Sequence, residues 1–492
     1  MLHLVLAAAV AISPARIDAA INSLDGIAAQ VQKRSGIPGL AIGVVWDGKI
    51  VYAKGFGVRK VGTSERVDAN TVFALGSISK SLSATVVAGE VGAGYVQWST
   101  PIAKEIPGFT LSDPWVGSHV TIADMFSHRS GLPDHAGEGL EDLGFDRAQI
   151  ISRLRFEPLA PFRTTFGYTN YGFTAGAVAA ANAEHVSWDD LANDILFKPL
   201  GMTSTSYRYS DFISRTNRAW LHMKTAHGYE PSVYNGVEEE APAGNASSSV
   251  NDMAKWMILQ LNEGRYNGKQ IIAKAPLEEM QTPQMAKGPV FGHMSFNGLG
   301  MAITCDDLGL MHLSHSGALE QGAATVYDLL PSAHLGIIVL SNGFPHGEPE
   351  TIASMFYDLV EFGHYQRDWQ SYYGGLFDQM TAPLFSKLNG EKVPANPAPA
   401  RSNDAYVGTY SNDMYGPAIV SADSKGLHLT IGPKHMTFAL RHWNGDTFVF
   451  RPGGGGFRTL TELTFKPATS DRAEQMTIEW LNDHGNGTFT KQ

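Results

Sequence analysis

Gly76-Ser77-Ile78-Ser79-Lys80-Ser81-Leu82-Ser83-Ala84-Thr85-Val86-Val87 is the stretch from which the reading of this 492-residue chain starts. Ser77 and Lys80 stand three apart at the head of an apolar run free of proline. If that run is a helix, the two side chains share one face. Ser77 then falls in the first turn, where free backbone N–H groups and the positive end of the helix dipole favour an oxyanion. An ammonium one turn on can hold the hydroxyl and, when neutral, take its proton. A serine hydroxyl needs such a base to become a useful nucleophile. The alternative is a helix cap followed by an exposed lysine, and Ser-x-x-Lys alone does not separate the two.

The composition bounds what surrounds this stretch. At 492 residues the chain exceeds one ordinary domain. An apolar fraction of 43% with 17% charged residues describes a well-cored globular protein. The net charge of −11 argues against a nucleic-acid partner. Cys305 is the one cysteine, so neither an intrachain disulfide nor a multi-thiolate metal site can form. In Met301-Ala302-Ile303-Thr304-Cys305, which reads as a strand, it is expected to be a buried structural thiol. The run from Leu2 to Ile12 has the length of a signal-peptide core and is too short to span a bilayer. Ser13 and Ala15 offer small residues for cleavage before Arg16, although no lysine or arginine precedes the run. A signal peptide over 1–15 and export to the periplasm or medium is the expectation. A cytoplasmic chain with a buried N-terminal segment is the alternative.

Working outward, Ile17, Ile21, Leu24, Ile27 and Val31 repeat at helical spacing and predict an amphipathic helix. Leu40 to Trp46 and Lys49 to Gly57 flank Asp47-Gly48 and predict a hairpin. Strand patterns return only at Gly298 to Cys305, Leu310 to Ser314, Ala323 to Leu330 and Leu335 to Ser341, followed by a helix over Ile352 to Phe362. Sheet-forming segments therefore bracket a mostly helical region from Ser77 to about Leu261. Val393-Pro394-Ala395-Asn396-Pro397-Ala398-Pro399-Ala400 reads as a linker. Beyond it, Tyr406 to Tyr410, Leu427 to Ile431, Phe448 to Phe450, Leu460 to Phe465 and Met476 to Trp480 predict a small β-barrel or sandwich. Gly453-Gly454-Gly455-Gly456 lacks the lysine and the strand–helix context of a phosphate-binding loop.

A serine hydrolase needs a proton acceptor, an oxyanion hole and substrate-orienting groups as well as a nucleophile. Tyr168 and Asn170, in Phe166-Gly167-Tyr168-Thr169-Asn170-Tyr171-Gly172, would project to one side of an extended or turn segment. A phenol beside an ammonium can act as a base; a core tyrosine and a turn asparagine are the alternative. His315-Ser316-Gly317-Ala318 leaves the strand predicted over Leu310 to Ser314, and a strand edge beside the nucleophile can donate backbone N–H to an oxyanion. Gly317 would let that backbone come close. Met125 to Asp134, a polar turn after a short helix, reads as packing beneath the site.

Taken together, Ser77-x-x-Lys80, Ser127-His128-Arg129-Ser130-Gly131-Leu132, Tyr168-x-Asn170, Pro199-Leu200-Gly201-Met202 and His315-x-Gly317 occur in one order. The chain from about Ile17 to Gly363 resembles the serine β-lactamase and penicillin-binding-protein-like family, in its class C-like esterase and peptidase branch. The segment around Tyr406-Val407-Gly408-Thr409-Tyr410 resembles the lipocalin-like domain that follows some peptidases of this family. The resemblance implies an α+β fold: an antiparallel sheet flanked by helices with a helical subdomain, then a small all-β barrel. The domains expected are 16–392 for the hydrolase, 393–400 for the linker and 401–492 for the barrel.

The resemblance also implies roles. Ser77 attacks a carbonyl to give an acyl-enzyme, and Lys80 and Tyr168 share the proton work. Asn170, His315 and Gly317 bind substrate, and the N–H groups of Ser77 and Ala318 form the oxyanion hole. No metal or organic cofactor is called for. Penicillin-recognising relatives usually carry lysine where this chain has His315. An unperturbed histidine has a pKa of about 6.5 and is mostly neutral at pH 7. That favours a peptidase or amidase on short or unusual peptides, or a carboxylesterase, over a β-lactamase or penicillin-binding protein. A sensor that is acylated without turnover needs no complete Ser77, Lys80 and Tyr168 set, and an α/β-hydrolase would need a G-x-S-x-G elbow that is absent from the chain. The partner implied is a small peptide or ester, with no membrane span, and self-association is left open.

Overall fold

Pro14–Ser35, the first helix (α1), shows why the N-terminal periodicity folds as it does. Ser13 caps it, its Oγ accepting from the Arg16 N–H at 3.3 Å, Pro14 opens it, and Gly36 closes it at φ 75°. Ile17, Ala20, Leu24, Ile27 and Val31 form its buried stripe. The structure is a computed structural model and describes residues 12–290, 292–382, 388, 391–452, 460–467 and 472–492. The apolar run Leu2 to Ala11 and the Gly453–Gly456 run lie outside the described residues.

The chain divides into two compact units. The first takes the chain to Ala93 together with Asp189–Gly236 and Gly244–Phe377. It holds an eight-stranded antiparallel sheet. In chain order the strands are β1 (Gly39–Trp46), β2 (Lys49–Gly57), β3 (Met285–Val290), β4 (His293–Asn297), β5 (Ala302–Cys305), β6 (Met311–Leu319), β7 (Ala323–Leu330) and β8 (Leu335–Ser341). Their order in the sheet is β2-β1-β8-β7-β6-β5-β4-β3. β1 and β8 are continuous apolar runs rather than alternating ones because helices cover both faces of the sheet there. On one face Ile42, Val44, Val326, Ile337 and Val339 pack with α1 and with Glu348–Glu361. Each such buried side chain contributes roughly 1.5–3 kcal/mol. On the other face lie α2 (Ser79–Ala93) and α3 (Val250–Leu261), with α4 denoting Glu348–Glu361 on the first face. A Cβ on Gly43 would meet the Val250 side chain at 3.3 Å, so the glycine lets α3 sit close on β1. Trp256 of α3 meets Tyr327 of β7 edge-on, with ring centroids 4.8 Å apart.

Three strand expectations change. Gly298 to Cys305 is not one strand: β4 ends at Asn297 and β5 begins at Ala302. The turn between them contains Gly300 at φ 73°. β6 does not stop at Ser314 but runs to Leu319, so His315 to Ala318 lie within a strand instead of leaving one. Cys305 is exposed at the end of β5, not buried.

The second unit takes Gly94–Trp188, Val237–Ala243 and Asp378–Gln492. Its first part is helical. Its last part is a closed eight-stranded antiparallel barrel, sealed where Gly408–Asn412 pairs with Thr488–Lys491. Gly416–Asp423, Met436–Asn444 and Thr488–Lys491 are strands that the apolar runs did not reveal. They are half-buried strands of mixed polarity, as the pattern Pro417-Ala418-Ile419-Val420-Ser421 illustrates.

Within this unit the barrel is tied to the helical part through a buried carboxylate. Glu157 is 2% exposed. Its Oε1 accepts from the Gly137 N–H at 3.1 Å, and its Oε2 pairs with His484 Nδ1 at 3.0 Å and accepts from Asn486 Nδ2 at 3.0 Å. The Glu157 bond raises the His484 pKa. A histidine raised in the folded state adds stability below its unfolded pKa of about 6.5 and loses it as pH climbs through the folded pKa. Stability by chemical denaturation should therefore fall as pH climbs from about 6.5 through the raised folded pKa of this group. His484→Ala should flatten that slope; a slope equal to wild type in the variant would mean that the contact carries no such weight.

Candidate active site

Leu75 and Gly76 decide how Ser77 is presented. Gly76–Ile78 forms a single 3-10 turn, and α2 follows from Ser79. Ser77 thus sits one turn ahead of the α-helix proper rather than inside its first turn. Lys80 Nζ donates to Ser77 Oγ at 3.2 Å. Lys80 is fully buried, while Ser77 is half-buried.

The neighbouring serines have other work. Ser79 Oγ donates to the Gly76 carbonyl at 2.6 Å and accepts from the Ala246 N–H at 2.9 Å. Ser81 Oγ donates to the Gly300 carbonyl at 2.6 Å and lies 2.8 Å from the Tyr327 hydroxyl. Ser83 Oγ lies 2.7 Å from the Tyr207 hydroxyl, which donates to the Ser79 carbonyl at 2.9 Å. All three are fully buried. They fasten α2 in place, and sequence reading gave them no role. The alternation Ser77-Ser79-Ser81-Ser83 hides one half-buried hydroxyl among fully buried ones.

Strand β6 lies against the same turn. A Cβ on Gly76, whose φ is +56°, would come 2.9 Å from Ala318 N and 3.2 Å from Ala318 O. A Cβ on Gly317 would come 2.0 Å from Leu75 O. Only glycine allows either approach. Thr325 of β7 adds a tie, its Oγ1 donating to Leu75 O at 2.7 Å. β5 pairs with β6 only up to Ser314, so residues 315–319 extend beyond that neighbour. The Ser77 and Ala318 main chains are thereby held at one turn–strand contact. Thr325, Leu75 and Gly76 were not singled out from sequence, although a glycine directly before the candidate nucleophile was visible.

His315 faces the α2 and α3 side of the sheet, directly opposite Tyr327 in the register. Its Nδ1 lies 2.6 Å from the Ser316 carbonyl, so that nitrogen carries the proton and donates, leaving Nε2 as the acceptor. Withdrawal from water lowers its pKa, and the Lys80 and Lys287 cations lower it further, to about 3. His315 is neutral across the physiological range.

Tyr168 and Asn170 belong to the second unit and are placed by the loop after helix Ile122–Phe126. The His128 carbonyl accepts from the Gly167 N–H at 2.9 Å, and His128 Nδ1 accepts from the Thr169 N–H at 3.2 Å. Asp134 accepts from the Tyr168 N–H. The His128 and Tyr168 rings lie 4.5 Å apart. Asp124, fully buried, anchors the loop. Burial opposes its ionisation, but bonds from Arg163, Arg129 and Thr121 hold its carboxyl below the usual range. Asn170 does not lie in an extended segment: Thr169 caps a helix that Asn170 opens. Asn170 Nδ2 donates to Glu138 Oε1 at 2.8 Å.

Comparison with known proteins places this geometry. The family model "Beta-lactamase" matches residues 24–361, and "Domain of unknown function (DUF3471)" matches residues 392–488. The chain is 26% identical over 497 residues to "Unguisins hydrolase ungD" of Aspergillus violaceofuscus, covering 89% of this chain and 84% of that protein. It is 23% identical over 349 residues to "D-alanyl-D-alanine-carboxypeptidase/endopeptidase AmpH" of Escherichia coli, covering 69% and 89%. The solved octameric penicillin-binding protein homologue from Pyrococcus abyssi superposes with a TM-score of 0.62 at 20% identity, covering 96% of this chain and all of that one.

Gly76→Ala tests the turn–strand contact. The added methyl meets Ala318 N at 2.9 Å in a left-handed conformation. It should lower stability by about 1–3 kcal/mol and displace Ser77. The expected readout is a lower denaturation midpoint together with at least tenfold slower hydrolysis of an activated ester. Wild-type rates in the variant would show that the close approach does not matter.

Proposed function

The chain belongs to the beta-lactamase family and is a serine hydrolase of that superfamily; from that premise we propose that it is a peptidase that opens amide bonds of short or unusual peptides through an acyl-enzyme. The observation that carries the reading is the Ser77–Lys80 pair, 3.2 Å apart at the head of α2, with Ala318 alongside.

In this reading Ser77 Oγ attacks the carbonyl carbon, and the C–N bond breaks to leave an ester on Ser77. The amine departs with a proton, and water then releases the acid. Lys80 and Tyr168 share the proton transfers, Asn170 orients the substrate amide, and the N–H groups of Ser77 and Ala318 bear the oxyanion. Those roles for Tyr168 and Asn170 come from the resemblance in motif. His315 and Gly317 line the substrate strand. The chemistry asks for no cofactor.

The name of one relative supports peptides over esters. That relative is named as a carboxypeptidase/endopeptidase, and another is named for hydrolysis of unguisins. The barrel, read as a lipocalin-like domain over 401–492 after a linker at 393–400, resembles the domain that follows some peptidases of this family. A carboxylesterase with the same residues is the second reading. A β-lactamase or penicillin-binding protein is disfavoured because neutral His315 stands where a fixed cation would hold a carboxylate. Export, with the hydrolase domain beginning at 16, and self-association complete the proposal. Among the described residues no helix is long and apolar enough to cross a membrane. Recovery of an N-terminus near Arg16 from a periplasmic fraction would support export, and an intact N-terminus in the cytoplasm would refute it.

Ser77→Ala should keep the fold by circular dichroism and lose several orders of magnitude in rate on the best of a panel of D- and L-aminoacyl amides, p-nitrophenyl esters and nitrocefin. Retention of more than a few per cent of turnover would remove Ser77 from the chemistry. Efficient nitrocefin hydrolysis by wild type would overturn the peptidase reading.

His315 gives a second test. Because its pKa lies near 3, KM for an anionic peptide and for its neutral amide should both stay flat from pH 5 to 8. His315→Lys should shift preference toward the anionic peptide by about fivefold, a water-screened charge worth ~1 kcal/mol. A KM for the anionic peptide that rises through pH 6 to 7 in wild type would show that His315 protonates and binds carboxylate.

A further inference from the structure

On the face of the sheet opposite His315, the side chains of β6 build a second polar cluster. His312, Ser314 and Ser316 alternate with His315 and Gly317 and point toward α4. His312 is 7% exposed and Glu361, near the end of α4, 6% exposed. Asp306 comes from the turn between β5 and β6. One ligand atom from each of these three residues lies within 4.8 Å of the others. His312 Nε2 is 3.2 Å from Glu361 Oε1 and 3.7 Å from Asp306 Oδ2. None of these three buried atoms makes a well-aligned hydrogen bond, although they lie within ion-pair distance of one another.

We propose that Asp306, His312 and Glu361 form a binding site for a divalent first-row cation of the zinc class, separate from the Ser77 chemistry. Buried polar atoms without aligned hydrogen bonds are costly, and three converging on one point can be satisfied together by a shared cation. The spacing fits one. Two ligands at about 2.0–2.1 Å from a tetrahedral zinc ion are about 3.3–3.4 Å apart, between the two separations found here. One imidazole with two carboxylates and no thiolate is an N/O donor set suited to zinc.

The surroundings hold each ligand in position. His312 Nδ1 donates to Asp328 Oδ1 at 2.8 Å, which fixes the ring and leaves Nε2 to coordinate. Asp306 Oδ1 accepts from the Leu308 and Leu310 N–H groups at 2.8 and 2.7 Å, turning Oδ2 toward the cluster. Tyr357 of α4 packs edge-on against the His312 ring at 4.8 Å and donates its hydroxyl to the Asp328 carbonyl at 2.9 Å. A cavity of about 270 Å³ lined by Asp306, His312, Asp328 and Glu361 gives the ion a way in and room for a water as fourth ligand. The ion would clamp α4 to β6, the strand that carries His315 and Ala318.

The full chain, treated with EDTA, loaded with zinc and desalted, should retain one equivalent by metal analysis. X-ray absorption should show nitrogen and oxygen ligands and no sulfur. Zinc at a hundredfold excess over its Kd should raise the thermal midpoint by about 5 °C. Glu361→Gln should lose the zinc, Asp328→Asn should weaken it about 10–100-fold, and Asp307→Asn, an exposed neighbour, should keep it. If Glu361→Gln does not fold, the wild-type stoichiometry and spectrum together with Asp328→Asn decide. Less than a tenth of an equivalent in wild type, with an unmoved midpoint, would overturn the site and leave an imidazolium balanced by carboxylates. Sulfur in the coordination shell, or equal loss of zinc in Asp307→Asn, would place the ion elsewhere and overturn it as well.

Discussion

The contact between the Leu75–Gly76 main chain and strand β6 is what the first unit depends on. It requires no side chain at Gly76 or Gly317, since a Cβ at either would lie 2.9 or 2.0 Å from backbone atoms of the other segment. Thr325 Oγ1 bonds the Leu75 carbonyl, and the buried Ser79, Ser81 and Ser83 hydroxyls lock α2 behind the turn. Lys80 is then fixed beneath Ser77 by the helix itself. A half-buried hydroxyl with a buried ammonium at 3.2 Å is the product of that arrangement, and the sheet supplies the second wall. Preorganised donors of this kind stabilise developing charge without reorganising during the reaction.

Much of this was legible in the chain. The Asp47-Gly48 hairpin and strands β7 and β8 fall where the apolar runs and turn residues put them, because Asp47-Gly48, Gly322, Pro331 and Asn342 punctuate them. The extension of β6 to Leu319 was not legible. His315-Ser316-Gly317 looks like a polar strand end because one of its faces meets a buried polar cluster and the other the Ser77 side of the sheet. Barrel strands of mixed polarity escaped for the same reason: period-2 patterns are weak where the outer face carries isoleucine and the inner face alanine. The strand context of Cys305 suggests burial, but its place at the end of β5 exposes it.

The candidate site divides similarly. Ser77, Lys80, Gly317 and Ala318 are brought together within one unit, and the segment 125–134, read as packing, supplies the carbonyl, the ring nitrogen and the carboxylate that hold Tyr168 and Thr169. What no motif showed is long-range. Gly76 matters because of Ala318, some 240 residues later; Glu157 matters because of His484 and Asn486 in the barrel; Glu361 matters because of His312. Each is an unremarkable residue in its own stretch and acquires its role only from a partner that topology delivers. The depressed basicity of His315 is of the same kind, since it follows from burial and from Lys80 and Lys287 rather than from the local sequence.

Rapid quenching during turnover of an activated ester, followed by peptide mass analysis, tests the central claim most directly. The account predicts a transient acyl mass on the peptide that contains Ser77, formed in a burst and lost as product accumulates, with fragmentation placing it on Ser77 rather than on Ser79, Ser81 or Ser83. No covalent adduct under burst conditions, or an adduct on another residue, would contradict it.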